Sequence, residues 1–224
     1  MPYYPLFLDL AQTDVLVVGA GDVGRRKIAS LLKALPRSVT VLDPSLDAAS
    51  MKELREWGSL DVRARAFSPD DIEGKHLVFA ATNSPDVNAL VSGLCASRGV
   101  LCNSATAPSA GGFIVPAHFT RDGITVAVST EGQSPALARL LREELEAWVG
   151  KRYSSLLVVL GRLRPLVLAL GLPTSDNTAL FRVLVRSSLA GYLEKNEHAE
   201  AATLLEQLLP EPLRPRVGDI LDGL

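Results

Sequence analysis

The residues Gly19-Ala20-Gly21-Asp22-Val23-Gly24 have the spacing G-x-G-x-x-G, and Asp43-Pro44 follows about twenty positions further on. In such a pattern the first glycine permits a tight turn and the second lets a pyrophosphate approach the backbone. The third lets a helix pack closely on a strand. Asp22 and Val23 then open a helix whose free N–H groups and partial positive charge face the phosphates. A carboxylate at the end of the following strand takes the ribose hydroxyls and repels a 2′-phosphate, so Asp43 points to NAD. Arg25 and Arg26 temper that preference. The hexamer also serves FAD and nucleotide sugars, and Asp43 could simply open an Asp-Pro turn; these alternatives stay open.

The elements around the hexamer are those it requires. TDVLVV (13–18) is a short β-branched run before it, and Ile28, Leu31, Leu32 and Leu35 form one helical face after it, closed by Pro36. SVTVL (38–42) predicts a second strand, 46–57 a helix, VRARAF (62–67) a third strand and HLVFAA (76–81) a buried fourth. Asn83 to Arg98 predicts a helix entered through Ser84-Pro85, and VLCN (100–103) a fifth strand. This alternation favours a mostly parallel sheet. Thr82 and Asn83 after the fourth strand, and Asn103 ending the fifth, then fall at the carboxyl edge where such sheets bind ligands.

Beyond Gly112 the pattern changes. FIVPA (113–117) and ITVAVST (124–130), separated by Arg121-Asp122-Gly123, predict a hairpin. Ser134-Pro135 starts a helix, with Ser as N-cap and Pro at the first position. The remainder is helical, with breaks near Gly150, Gly171-Leu172-Pro173 and Pro210. The predicted fold is α/β: a Rossmann NAD-binding domain over 1–112, a small β-containing region over 113–150 and a C-terminal helical domain over 151–224.

With 47% hydrophobic residues, 21% charged residues and a net charge of −2, the 224 residues can build a core and lack the basic excess of a nucleic-acid binder. Cys95 and Cys102 fit neither a disulfide framework nor a metal motif, and His76, His118 and His198 are far apart, so no metal site is expected. No basic region followed by a long apolar stretch opens the chain, so no signal peptide is predicted. The Leu- and Val-rich stretch from Ser154 to Leu172 contains Arg162, Arg164 and Pro165, which reads as buried helices broken near Pro165 and not a membrane span. A reducing, cytoplasmic setting follows.

YYPLFLDLAQTDVLVVGAGDVGRRK resembles the opening of the precorrin-2 dehydrogenase/sirohydrochlorin ferrochelatase family, the N-terminal module of siroheme synthases. The resemblance continues through VTVLDPSL, LVFAATNSPDVN, LCNSATAPSAGGFIVPA and ITVAVSTEGQSPALARLLREELE. It implies NAD-dependent oxidation of precorrin-2 to sirohydrochlorin, in some members followed by Fe²⁺ insertion, and a homodimer joined through the middle region. A polycarboxylated tetrapyrrole would be served by cationic side chains. Arg139, Arg142, Lys151, Arg152, Arg162 and Arg164 supply a local excess, with Arg121 in the hairpin turn; ordinary solvated helix faces would look the same. Thr130 stands where the family has a serine near the tetrapyrrole, and the helix start at Ser134 could receive a carboxylate.

One departure bears on mechanism. The family carries a central aspartate in a CNxxDAP context; here the segment reads Cys102-Asn103-Ser104-Ala105-Thr106-Ala107-Pro108, so Thr106 replaces it. A carboxylate accepts protons at neutral pH, whereas a hydroxyl is a very poor base. Three outcomes follow: oxidation with proton removal by His118, Asp122 or water; slow oxidation without chelation; or a non-catalytic carrier or sensor of NAD and tetrapyrrole. For His118 itself, a histidine packed into the fold is the preferred reading over a base.

Overall fold

A computed structural model describes residues 3–107 and 111–224; Pro108 and the Lys151 side chain lie outside the described residues. The chain forms two compact units, one running to Val115 and one from Pro116 to Leu224.

The first unit is a five-stranded sheet, all parallel, in the order β3-β2-β1-β4-β5. Its strands are β1 (Asp14–Val18), β2 (Ser38–Leu42), β3 (Leu60–Arg63), β4 (Leu77–Ala80) and β5 (Leu101–Ser104). They alternate with α1 (Asp22–Lys33), α2 (Ala48–Glu56) and α3 (Pro85–Ser97). Strand periodicity sends successive side chains to opposite faces. Val15 and Val17 therefore meet Ile28 and Leu31 of α1 and Leu54 of α2, while Leu16 and Val18 meet Val91 and Cys95 of α3. Each such buried aliphatic side chain contributes about 1.5–3 kcal/mol of transfer free energy. Both faces of the sheet are thus covered, which accounts for the unbroken apolar runs in β1 and β4. From β1 the chain turns to β2 on one side, and β4 lies on the other. That reversal opens a crevice outside the carboxyl ends of β1 and β4.

Two boundaries differ from the sequence expectation. β3 spans Leu60–Arg63, not 62–67, because its partner β2 ends at Leu42, opposite Arg63. The Arg65 N–H then bonds the Arg63 carbonyl at 3.0 Å and bends the chain away. Leu35, expected on the buried face of α1, is exposed with φ 51°; the helix ends at Lys33, before Pro36.

The second unit begins with a hairpin of β6 (Ala117–Arg121) and β7 (Ile124–Val128). Asp122 (φ 48°) and Gly123 (φ 86°) form a two-residue turn of the primed type, which matches strand twist. The first arm starts later than the expected 113–117. Pro116 has no N–H for a ladder, and Phe113 packs edge-to-face on Phe79 of the sheet unit at 5.5 Å. α4 (Pro135–Ala169) is interrupted at Gly150 (φ 43°, ψ −153°), as the sequence suggested, but the break expected near Pro165 is absent. Pro165 sits on the exposed side of the helix, and the buried stripe Leu156, Val159, Leu163, Val167 runs past it. The Ser154 hydroxyl donates to Asp122 Oδ2 at 2.8 Å and to the Gly150 carbonyl at 3.1 Å, tying the hairpin turn to the kink.

α5 (Thr174–Arg186), α6 (Leu189–Glu194), α7 (His198–Leu208) and α8 (Val217–Leu221) pack around that stripe. Arg162 donates to the carbonyls of Ile220 and Asp222 at 2.9 and 2.7 Å, capping the end of α8. Among the described residues no helix is long and apolar enough to cross a membrane.

Candidate dinucleotide-binding site

The glycine-rich turn is built by close backbone approach. Gly19 has φ 98°, and a Cβ there would stand 2.5 Å from the Ala81 carbonyl oxygen at the end of β4. A Cβ on Gly24 would collide with the Gly19 carbonyl oxygen. Around Gly21, in contrast, a Cβ would meet nothing within 4 Å: the space outside the turn is open where a pyrophosphate would lie. Gly21 is the N-cap of α1 and provides no side-chain acceptor, so the first N–H groups of the helix remain available. These features fit a dinucleotide.

Asp43 closes the turn from the β2 side. Its Oδ2 accepts the Ala20 N–H at 2.7 Å, and its Oδ1 accepts the N–H and hydroxyl of Ser45 at 2.8 and 2.6 Å. Partial burial pushes the carboxyl up, but the hydrogen bonds from Ser45 and Ala20 outweigh it and hold the group below its ordinary value. The carboxylate thus stays ionised above the usual aspartate range near pH 4, so no loss of cofactor affinity from its protonation is expected between about pH 5 and 8. A titration of dinucleotide affinity against pH checks this.

Gly19, Gly21, Asp43, Pro44, Thr82 and Asn83 line one cleft of about 370 Å³. Phe67, Val87 and Leu90 add apolar wall that sequence reasoning did not name. Asp22 is exposed and Val23 half-buried at the start of α1. Asn103 does not line the cleft: it is buried, and its amide donates to the Phe113 carbonyl at 3.1 Å, fastening the segment after β5 to the sheet.

Asn88, also unnamed from the sequence, is fully buried on α3 and joins two of the candidate positions. Its Oδ1 accepts the Thr82 N–H at 3.1 Å and hydroxyl at 2.8 Å, and its Nδ2 donates to the Thr82 carbonyl at 2.9 Å. The same Nδ2 donates to the Thr106 hydroxyl at 3.2 Å. The signal for it was the Asn itself on an otherwise apolar helix face, where a buried amide must find partners. Asn88→Leu leaves the Thr82 backbone groups unpaired and should cost about 1–3 kcal/mol, read by denaturant unfolding. Lys27 of α1 was likewise unnamed; burial, then Arg26 beside it, pushes its ammonium down, and it lies 5.8 Å from the Phe79 ring centre.

The other named residues belong to the second unit. The Thr130 hydroxyl donates to the Ser134 carbonyl at 3.0 Å and accepts the Ser134 N–H at 3.2 Å, and Ser134 Oγ accepts the Leu137 N–H at 3.2 Å. Arg139 and Arg142 share Glu143, and Arg142 also pairs with Glu146, so the basic excess is partly neutralised in place. His118 is exposed and not packed, with Nδ1 3.0 Å from the Pro116 carbonyl. Among the described residues no three His, Cys, Asp or Glu side chains gather as a metal cage.

A strand, glycine turn and helix at the switch point of a 3-2-1-4-5 parallel sheet, with an acid after the second strand, define a Rossmann-type dinucleotide-binding protein. Residues 6–117 match the family described as Putative NAD(P)-binding, and residues 121–147 that described as Sirohaem biosynthesis protein central. The chain belongs to the putative NAD(P)-binding family, and its similarity to siroheme synthases agrees with the resemblance read from the sequence. It is 36% identical over 223 residues to Siroheme synthase 1 of Aeromonas hydrophila, covering 100% of this chain and 48% of that protein. It is 40% identical over 156 residues to the siroheme synthase of Thioalkalivibrio sulfidiphilus, covering 70% of this chain and 32% of that one. The chain thus spans about half or less of the length of these relatives. Among solved structures, SirC, a precorrin-2 dehydrogenase, superposes with TM-score 0.74 at 27% identity, covering 92% of this chain and 98% of that one.

Proposed function

We propose that the chain oxidises precorrin-2 to sirohydrochlorin with NAD, as a cytoplasmic homodimer, and that it inserts iron slowly or not at all. The observation that carries this reading is the open, glycine-built cleft with Asp43 at its edge, in a chain that shares the fold of a precorrin-2 dehydrogenase over 92% of its length. The reaction balances as precorrin-2 plus NAD⁺ giving sirohydrochlorin, NADH and a proton; the bound nicotinamide supplies the hydride acceptor.

The chain's residues do the positioning. Gly19, Gly21 and Gly24, with Asp22 and Val23 at the start of α1, hold the pyrophosphate by backbone groups. Asp43, beside Pro44, accepts from the ribose hydroxyls. Thr82, Asn83 and Asn103 shape the nicotinamide end, Asn103 by fixing the chain after β5. Thr106 orients substrate through its hydroxyl: Asn88 occupies one of its lone pairs, and the neutral oxygen takes no proton at neutral pH. The proton passes to His118, whose ring is exposed and so accessible. Thr130, Ser134 and Arg139 meet substrate carboxylates. The hairpin and first helix over 113–150 form the dimerisation region, between a dinucleotide domain over 1–112 and a helical domain over 151–224.

A second reading, a non-catalytic carrier or sensor of the two ligands, is favoured by one observation, the hydroxyl at Thr106. Asp43→Ala separates cofactor from substrate in both readings. NAD affinity should fall about tenfold or more while tetrapyrrole affinity holds, measured by calorimetric titration of each ligand. Equal loss of both would remove Asp43 from the cofactor site. Sirohydrochlorin with added Fe²⁺ should give siroheme no faster than without protein; rapid formation would overturn the chelation part of the proposal.

A further inference from the structure

Three arginines, none of them lining the cleft itself, are tied by hydrogen bonds or chain adjacency to its Asp43 end, and each is held by a carboxylate of its own. Arg65, beside the cleft residues Ala66 and Phe67, forms a two-point pair with Asp71 at 2.8 and 2.5 Å. Arg63, whose carbonyl accepts the Asp43 N–H, pairs with Asp61 at 2.6 Å. Arg25 is placed most closely: its Nε donates to the Ala20 carbonyl at 3.2 Å, while Asp43 takes the N–H of that same residue. Its NH1 pairs with Glu53 of α2 at 2.8 Å, and its guanidinium lies 5.8 Å from the centre of the Trp57 ring.

We infer that Glu53 is a specificity-determining residue for the dinucleotide, acting by neutralising the Arg25 guanidinium, which is anchored at the turn that Asp43 closes. This rests on the NAD reading above. A 2′-phosphate needs a guanidinium whose donors and charge are available, and discrimination comes as much from what is withheld as from what is offered. Asp43 repels a phosphate directly; Glu53 removes the attraction that would offset it. Arg25 has two further anchors, the Ala20 carbonyl and the Trp57 face. Deleting the Glu53 charge therefore leaves the guanidinium in place but unneutralised. A half-exposed ion pair contributes little to stability, so the change should fold normally.

The test is calorimetric titration of the full chain with NAD and with NADP, which needs no turnover. In Glu53→Gln, NADP affinity relative to NAD should rise about tenfold, the size of one charge-assisted contact at a partly exposed site. NAD affinity should move less than about twofold. In the double change Glu53→Gln with Arg25→Ala the gain should vanish. An unchanged ratio in Glu53→Gln, or a gain that survives loss of Arg25, overturns the inference. Preference of the unaltered chain for NADP would instead overturn the NAD reading on which it rests, and the two failures are read separately.

Discussion

Gly24→Ala is expected to abolish dinucleotide binding, lowering affinity at least about a hundredfold. The added Cβ would collide with the Gly19 carbonyl oxygen, a backbone atom that cannot rotate away. Relief requires α1 to move off β1 or the Gly19 turn to open, and either displaces the N–H groups that face the pyrophosphate. Separating Ile28 and Leu31 from the sheet also forfeits packing, so a loss of about 1–3 kcal/mol should accompany it. Gly21→Ala is the matched control for fold: its Cβ enters open space, so stability should hold within about 1 kcal/mol while the cofactor is blocked sterically. Calorimetric titration with NAD and denaturant unfolding of both variants check this. A Gly24→Ala chain that binds NAD normally would mean that the turn does not hold the cofactor.

The second large effect is a gain. Thr106→Asp should raise iron insertion into sirohydrochlorin by about a hundredfold, within the usual range for a positioned general base. The side chain is exposed, so it can enlarge, and the Asn88 amide that now donates to the threonine hydroxyl would donate to a carboxylate oxygen instead. That donor favours the ionised form and keeps the new group competent near neutral pH. Oxidation should change less, because hydride transfer depends chiefly on placing the substrate against the cofactor. Siroheme formation after Fe²⁺ addition reads the first effect and NADH formation the second. If neither activity responds, the chain differs from its relatives at more than this residue, and the carrier reading gains.

The dinucleotide cleft was legible because its requirements are local. The turn needs glycines at fixed spacing, the helix start needs no particular side chain, and the acid needs only to follow the second strand. The parallel sheet was legible for a similar reason, since strands buried on both faces read as continuous apolar runs. Asn88 was harder to see because its role depends on four partner groups at 82 and 106, brought together by packing and not by spacing. The pairing of Arg25 with Glu53 is likewise long-range, joining α1 to α2, so the sequence showed a cation near the ribose without showing its neutralisation. The two displaced strands have separate causes. β3 shifted because pairing is limited by the partner strand, and β6 because Phe113 found a better neighbour in Phe79. Pro165 misled for a third reason: a proline on the solvent side leaves the buried stripe intact, whereas Gly150 takes up a backbone conformation that ends regular winding.

The central claim is oxidation of precorrin-2 by a chain with threonine in place of the family aspartate. It is tested most directly by incubating the purified protein with precorrin-2 and NAD without oxygen, following NADH and sirohydrochlorin absorbance together. Growth of the two in one-to-one proportion, dependent on NAD and lost in Gly24→Ala, is the predicted result. Binding of both ligands with no NADH and no sirohydrochlorin formed would contradict it and leave the chain a carrier or sensor.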